Sequence, residues 1–414
     1  MSSLQPVRGT RDLLPEESRR HRHVAETARR TAELYGYDEV STPIFEFTEV
    51  FQRTLGDTSD IVTKEMYSFT DRGGDQLTLR PEATAGIMRA LISGGLSQHL
   101  PLKFFCSGPM FRYERPQKGR YRQFHQIDVE LIGVPEALGD VEVIALGAHI
   151  LDALGILGKT TLELNTLGDG ESRAAYRAAL VAYLGQHRAA LSADSLARLE
   201  RNPLRVLDSK DEGDKRIVAA APVFFDYLNE SSSTFFAKVT SSLAALGIAY
   251  ELNPRIVRGL DYYCHTVFEF TTSELGAQGA VIAGGRYDGL AETMGGPPTA
   301  SVGWAGGIER LAMLTAALPA VPRPVAVIPI GSAAETAALK IARELRQRNM
   351  AVELGYHGNL ARRMKRANKV NARIAILLGD DELKRGSASV RDLDTGAQSD
   401  VPLDALVERL AAER

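Results

Sequence analysis

Between Phe111 and Glu130 the chain reads as a strand, a cation-rich loop and a second strand, and no other stretch restricts the possible folds as much. The loop carries Arg112, Arg115, Lys118, Arg120 and Arg122, with Tyr113, Tyr121 and Phe124 among them. Guanidinium forks match phosphate oxygens and aromatic faces stack on bases, so this composition points to a nucleotide, a nucleic acid or both. A solvated basic hairpin would show the same charges. What separates the two readings is the strand that follows, where Gln126, Asp128 and Glu130 alternate with Ile127, Val129 and Leu131. A period of two puts the polar set on one face, so Gln126 and Glu130 are expected to line one pocket beside the basic loop.

The 414 residues, 44% hydrophobic and 24% charged, describe an ordinary globular chain able to bury substantial cores. Length alone favours roughly three domains. With a formal net charge of −3, no overall field steers a polyanion, so any nucleic-acid contact must rest on local basic patches. Cys106 and Cys264 are the only cysteines, too few for a disulfide framework or a Cys-rich metal site, and a reducing cytoplasm is expected. No charged-then-apolar leader is read at the start, and no apolar run approaches the ~20 residues of a membrane span. A soluble, cytoplasmic protein with no membrane partner is the expectation.

Along the chain, Pro15 to Tyr35 reads as a helix opened by proline, followed by an extended piece at Val40 to Phe45. Pro43 within it cannot donate to a ladder, which assigns the piece to an edge or an interface. Tyr67 to Arg80 alternates on both sides of a Gly-rich turn, a hairpin signal, and Pro81 ends it ahead of a helix through Ile87, Met88 and Leu91. A helix over Val141 to Leu154 and a strand at Leu162 to Leu164 precede an Ala/Leu/Arg-rich block, about 171–246, that reads as a helical insertion. Strands return at Ala249 to Leu252, Thr266 to Phe270, Gly279 to Ile282 and Ser301 to Trp304. Few crossover helices separate these strands, so the core sheet is predicted to be discontinuous in sequence and mainly antiparallel. The Pro-rich stretch Leu318 to Pro324 marks a linker, which divides the chain into domains 1–320 and 321–414. Beyond it, Val325 to Ile330, Ala333 to Arg348, Val352 to Gly355, Leu360 to Asn371 and Ile374 to Leu378 read strand, helix, strand, helix, strand, a small α/β domain.

Four distant segments supply pocket-type residues: Arg80-Pro81-Glu82-Ala83-Thr84, the basic loop, Arg258-Gly259-Leu260-Asp261-Tyr262-Tyr263, and Gly303 to Arg310. Together they resemble the histidyl-tRNA synthetases, a class II family. Phe111-Arg112-Tyr113-Glu114 resembles the second class II motif, Gly306-Gly307-Ile308-Glu309-Arg310 the third, and Pro43 the proline of the first, at a dimer interface. Arg258 to Tyr263 resembles the family's own histidine-recognition motif. The resemblance runs nearly end to end, through Arg8 to Asp12, Asn165 to Gly168 and the C-terminal domain. It departs at Ala83, often glycine in the family, and at Cys264-His265.

The resemblance implies an α/β protein whose α+β catalytic core is a mainly antiparallel class II sheet flanked by helices, with a C-terminal anticodon-binding domain. The implied reaction is ATP-dependent activation of L-histidine and its transfer to tRNA(His), in a homodimer. Catalytic roles fall to Arg112 and Arg258, cations that bring the substrate carboxylate and the α-phosphate together. Histidine is implied to meet Glu82, Thr84, Arg112, Gln126, Glu130, Arg258, Tyr262 and Tyr263, with Glu82, Thr84 and Gln126 nearer the ammonium and Glu130 with Tyr263 nearer the ring. ATP is implied to meet Arg112, Glu114, Phe124 and Arg310, with Mg2+ only as a companion of its phosphates. Gly306 and Gly307 would let those phosphates approach, and Gly284-Gly285-Arg286-Tyr287-Asp288-Gly289, a structural turn by its residues alone, would lie beside the site.

For RNA, Gln117, Arg120 and Arg122 resemble the acceptor-end reader. Arg362, Arg363, Lys365, Arg366 and Lys369 form a basic stripe on one predicted helix of the anticodon-type domain. No resident metal is expected, since His125 and His265 lack helix-spaced ligand partners and read as packed or hydrogen-bonded side chains. The competing reading is a non-catalytic paralogue, the regulatory subunit of ATP phosphoribosyltransferase, which shares the core. The segment Arg258 to Tyr263 and the tail from Val325 onward argue against it.

Overall fold

The computed structural model describes residues 4–55, 61–256, 262–276 and 279–413. The chain divides into two compact units, Met1–Leu318 and Pro319–Arg414.

The first unit is built on strands β1 (Asp38–Glu39), β2 (Phe45–Phe47), β3 (Tyr67–Thr70), β4 (Gln76–Leu79), β5 (Leu102–Phe111), β6 (Gln123–Ile132), β7 (Thr161–Thr166), β8 (Glu251–Leu252), β9 (Cys264–Thr271), β10 (Ala280–Arg286) and β11 (Ser301–Gly307). Eight of them form one sheet in the order β1-β5-β6-β11-β10-β9-β7-β8. Only the outer pairs β1/β5 and β7/β8 are parallel. Strands far apart in sequence are therefore direct neighbours, as the missing crossover helices required.

β5 and β6 pair over ten residues, from Leu102 opposite Ile132 to Phe111 opposite Gln123. The alternation in β6 is realised, but burial differs from a half-exposed strand: Gln126 to Ile132 are all buried. Ile127, Val129 and Leu131 enter the main core with Phe268, Phe270 and Trp304, beneath the helix Ala137–Ala153. Trp304 Nε1 donates to the Val143 carbonyl at 2.9 Å and pins that helix to the sheet. The opposite face of β6 carries Gln126, Asp128 and Glu130, and a second core there joins Thr84–Ser93 to the first helices of the helical block, whereas its last helix, Glu230–Ala245, packs into the main core.

The helix Pro15–Leu34 begins with proline and two first-turn acids, Glu16 and Glu17, which complement the helix dipole. Its buried stripe, His21, Val24, Ala28, Thr31 and Ala32, follows helical spacing. Gly36, at φ +77, stops it, since a side chain there would be strained. The expected extended piece at 40–45 is instead a connection between two short strands. β1 joins the large sheet and β2 joins a three-stranded sheet, β2-β4-β3. Thr42 lies between them, its carbonyl and hydroxyl held by the buried Arg80 guanidinium at 3.0 and 3.2 Å. The helical block consists of Gly170–Gln186, Ala193–Arg201, Glu212–Ala219 and Glu230–Ala245.

The second unit contains β12 (Val325–Pro329), β13 (Val352–Leu354), β14 (Ile374–Leu378), β15 (Ser387–Asp392) and β16 (Gln398–Pro402), ordered β13-β12-β14-β15-β16. The first three strands are parallel and the last two antiparallel. Among the described residues no helix is long and apolar enough to cross a membrane.

Candidate active site

One cleft gathers residues from five separated parts of the chain and encloses about 1150 Å³, counting the space at its open mouth. Glu82 and Thr84 come from the connection after β4 and the start of Thr84–Ser93, just past the point where Phe111 N–H donates to the Arg80 carbonyl and Arg80 Nε to the Pro109 carbonyl, tying this segment to β5. The loop after β5 folds over the mouth because Lys118-Gly119 forms a tight turn closed by paired Gln117 and Arg120. Gly119 has φ +74 and lies against Arg310 and Met313, where a Cβ would collide.

The cleft is cationic at one end. Arg112 Nε donates to the Pro81 carbonyl at 2.8 Å, and its guanidinium lies 5.3 Å over the Phe124 ring. Arg120 meets Glu114 at 3.0 Å. Arg310, on the first turn of Ile308–Leu314, donates to the Ala280 carbonyl, and burial together with the nearby Arg120 holds its pKa below the ordinary arginine value. Positive groups crowded at a partly desolvated wall favour an anion strongly.

The other end is acidic and buried. Glu82 accepts from Ala85 N–H and from the Tyr262 hydroxyl, each at 3.1 Å. Burial raises its pKa, with Arg112 acting in the opposite direction. Glu130 accepts from the Thr84 hydroxyl at 2.5 Å and from the Tyr287 hydroxyl, and burial pushes its carboxyl up to about 8. Between them in the strand stands Asp128, raised well above the usual carboxylate range by burial and then by Glu130 and Glu82. Neither carboxylate oxygen of Asp128, nor the side-chain oxygen of Gln126, has a hydrogen-bond partner among the described residues. A buried acceptor without a donor is costly, so this end of the cleft favours ligands that bring N–H groups.

Of the residues singled out in the sequence, Glu82, Thr84, Arg112, Glu114, Arg120, Phe124, Gln126, Tyr262, Tyr263 and Arg310 share this cleft. Glu130 lies directly behind its wall at 2% exposure. Gln117 is in the turn, outside the lining. Arg122 also faces elsewhere, its guanidinium 3.7 Å over Tyr113 and its N–H donating to the Gly9 carbonyl. Arg258, with its neighbours through Asp261, lies outside the described residues. Arg362 and Arg366 are on the exposed helix Leu360–Lys369 of the second unit, where Arg366 pairs with Glu353 at 2.7 Å. Arg363 of the same stripe donates to the Pro329 carbonyl and so belongs to the fold.

Two expectations change. Gly306 faces Ile127 and Ile282 in the core, so only Gly307 borders the cleft. The string Gly284 to Gly289 is no nucleotide loop and only partly a turn: Gly284, Gly285 and Arg286 are β10, and Arg286 is fully buried against Asp140 and Asp288. Tyr287, one residue beyond that strand, borders the cleft, where the resemblance put the string, but sequence reasoning gave neither it nor Asp128 a role. Sequence reasoning also missed the tie between His125 and Glu309, in which the backbone N–H and ring Nδ1 of His125 meet the Glu309 carboxylate at 3.0 Å. Cys264 is pushed up to about 12 by burial, which leaves its thiol protonated at neutral pH.

The fold is that of a solved aminoacyl-tRNA synthetase. The apo histidyl-tRNA synthetase of S. aureus superposes with a TM-score of 0.84 at 34% identity, over 99% of this chain and all of that one. A Bacillus halodurans structure titled ATP phosphoribosyltransferase regulatory subunit/histidyl-tRNA synthetase aligns at a TM-score of 0.66 and 24% identity, over 92% of this chain and 99% of that one, a likeness of fold alone. Residues 9–311 match the histidyl-tRNA synthetase family and residues 324–413 the anticodon binding domain. Proteins named histidine–tRNA ligase from Rhodospirillum rubrum and Gluconacetobacter diazotrophicus are 64% and 59% identical, each over 99% of both chains. The chain belongs to the histidyl-tRNA synthetase family.

Proposed function

We propose that this chain activates L-histidine with ATP, forming histidyl-adenylate and pyrophosphate, and transfers the histidyl group to the 3′ end of tRNA(His). One observation carries the reading: in a member of this family, a single cleft offers guanidinium groups at one end and a buried Glu82 and Gln126 at the other, with Glu130 directly behind that wall.

Activation joins two anions. The histidine carboxylate attacks the α-phosphorus while pyrophosphate leaves, and cations must hold both reactants in line. Arg112 takes this role with Arg258, the latter by family resemblance. Removing one such donor lowers the rate by about 10²- to 10³-fold. Phe124 and Arg310 clamp the nucleotide, with Glu114 near its base. Mg2+ bound with the ATP phosphates would shield their charge, and the Glu269 carboxylate on the cleft wall is a hard oxygen donor that would hold it.

Glu82 and Gln126 serve the ammonium, which supplies the donor that the Gln126 side-chain oxygen lacks and a charge opposite to that of a Glu82 carboxylate, while Glu130 receives a ring N–H beside the tyrosines. A site that recognises a substrate N–H by a buried acceptor rejects analogues lacking it by up to about 10⁴ to 10⁵.

For RNA, Gln117, Arg120 and Arg122 of the loop serve the acceptor end, and Arg362 and Arg366 the anticodon. The exposed Tyr356, just ahead of that helix, adds a face for an unstacked base. The protein acts in the cytoplasm as a homodimer. The outward face of β2-β4-β3 supports the dimer, since Phe45, Phe47 and Phe69 are 52%, 53% and 43% exposed in the monomer on one side of that sheet. The match of residues 324–413 to an anticodon binding domain favours tRNA charging over a regulatory role. Attachment of labelled histidine to tRNA(His) tests the proposal; well-folded protein that charges no tRNA would reject it.

A further inference from the structure

Glu130 is the most enclosed acceptor at the acidic end of the cleft, and three features fix where its carboxylate sits. Thr84 donates to one oxygen at 2.5 Å. Tyr287, 1% exposed, donates to the other. Gly303, directly opposite Glu130 in the β6/β11 ladder, leaves the space that oxygen occupies, for a Cβ at 303 would overlap Glu130 Oε2. Tyr287 itself also lines the cleft, packed 5.6 Å from the Tyr262 ring and 6.3 Å from that of Tyr263.

We infer that Tyr287 is a positioning residue for substrate specificity: its hydroxyl, with Thr84 and the gap at Gly303, holds the Glu130 carboxylate as the acceptor for the N–H of a heteroaromatic ring. The inference rests on the histidine-activating reading. It gives Tyr287, and Gly303 in its segment, roles that the sequence did not suggest.

The arrangement makes ring recognition depend on pH. Around the Glu130 carboxylate stand Glu82 from the segment before Thr84–Ser93, Asp128 on its own strand, and Tyr262 ahead of β9. Cys106 of β5 and Tyr37 ahead of β1 act on it from the side of the sheet edge. Neither the acids nor the neutral groups favour its charge, and burial dominates, so the carboxyl titrates near 8, with the Thr84 and Tyr287 hydroxyls pulling that value down. The carboxylate is the accepting form. Removing the Tyr287 hydroxyl withdraws one donor from it, so its pKa rises further and the competent form is reached only at higher pH.

Tyr287→Phe deletes one oxygen and keeps the ring packing. In the protein without substrates, the infrared band of the protonated carboxyl, assigned by its loss in Glu130→Gln, is expected to titrate near pH 8 in the parent and at higher pH in Tyr287→Phe. In pyrophosphate exchange, Tyr287→Phe is expected to lower kcat/KM for histidine about 10- to 100-fold through KM, with kcat within about 3-fold and KM for ATP unchanged. Its pH profile should move in the alkaline direction relative to the parent, a comparison in which the titration of free histidine cancels. An unchanged infrared midpoint in Tyr287→Phe overturns the inference, and so does a fall in kcat with KM and pH profile unmoved, the mark of a merely structural residue. Should the parent protein give no histidine-dependent exchange, the functional reading fails on its own, and the infrared midpoint still decides whether Tyr287 sets the state of Glu130.

Discussion

Two buried charged sites sit on the same sheet, and they have opposite character. At Arg286 the charge is closed: Asp140 and Asp288 pair with the guanidinium, the carbonyls of Val134 and Glu136 accept from it, and exposure is zero. Burial works against that charge, yet the two aspartates outweigh it and hold the arginine's pKa above the ordinary value. At Glu82, Asp128 and Glu130, three carboxyl groups share one region, burial raises all three pKa values, and the nearest cations answer only Glu82 and Asp128. The chain completes the first site by itself. The second, on the function proposed above, is completed by a ligand, which is the physical difference between a structural ion pair and a binding site.

The sharpest way to break this contrast is to open the closed site. Asp140→Asn leaves Arg286 buried with its main partner gone, so unfolding free energy should fall by about 3 to 5 kcal/mol in denaturant titration. A loss below about 1 kcal/mol would show that the pair is not structural. Arg112→Ala does the reverse. Its side chain is partly exposed and borders the cleft, so exchange activity should fall about 10²- to 10³-fold while stability changes by less than about 1 kcal/mol.

Glu130→Gln sharpens the comparison through pH. The folded carboxyl titrates near 8 against 4.5 for an ordinary glutamate. A raised folded pKa contributes stability that is full below the unfolded value and is lost as pH rises through the folded one. Glu130→Gln should therefore gain on the parent between pH 4.5 and 8 and level off above, a difference on the order of a few kcal/mol read from thermal unfolding across pH. A flat difference would mean that Glu130 is not held protonated by its surroundings. The smallest effect is expected at Arg366, exposed and already paired with Glu353. Arg366→Glu should lower tRNA charging roughly 3- to 10-fold without changing exchange, since one surface charge is worth little beyond its share of RNA binding. Equal losses in both assays would contradict the separation of roles between the two units.

Much of this was legible in the sequence, and the failures have physical causes. The β5/β6 hairpin and the polar face of β6 were readable because a strand's period of two survives burial. Ten residues marked as pocket candidates share the cleft because cations, carboxylates and aromatics in short motifs are rarely spent on packing together. Gly284 to Gly289 reads as a turn in the sequence, yet its first three residues are strand, because glycines serve a close-packed β10 as well as they serve a bend. A Cβ at 284 or 285 would strike the neighbouring strands. Tyr287 was illegible for a related reason: its hydroxyl meets Glu130 from 157 residues away, and no local pattern reports such a contact. β15, β16 and the last helix, Leu403–Ala412, escaped because the hairpin strands Ser387–Asp392 and Gln398–Pro402 are polar and partly exposed, without the apolar run that marked β12 and β14.

The central claim, that the open acidic end is shaped for imidazole and the cationic end for ATP, is tested most directly by amino-acid-dependent exchange of labelled pyrophosphate into ATP, with each of the common amino acids supplied in turn. Exchange with histidine and with no other is the predicted result. Exchange driven by a residue without a ring N–H, or none with any amino acid from well-folded protein, would contradict it.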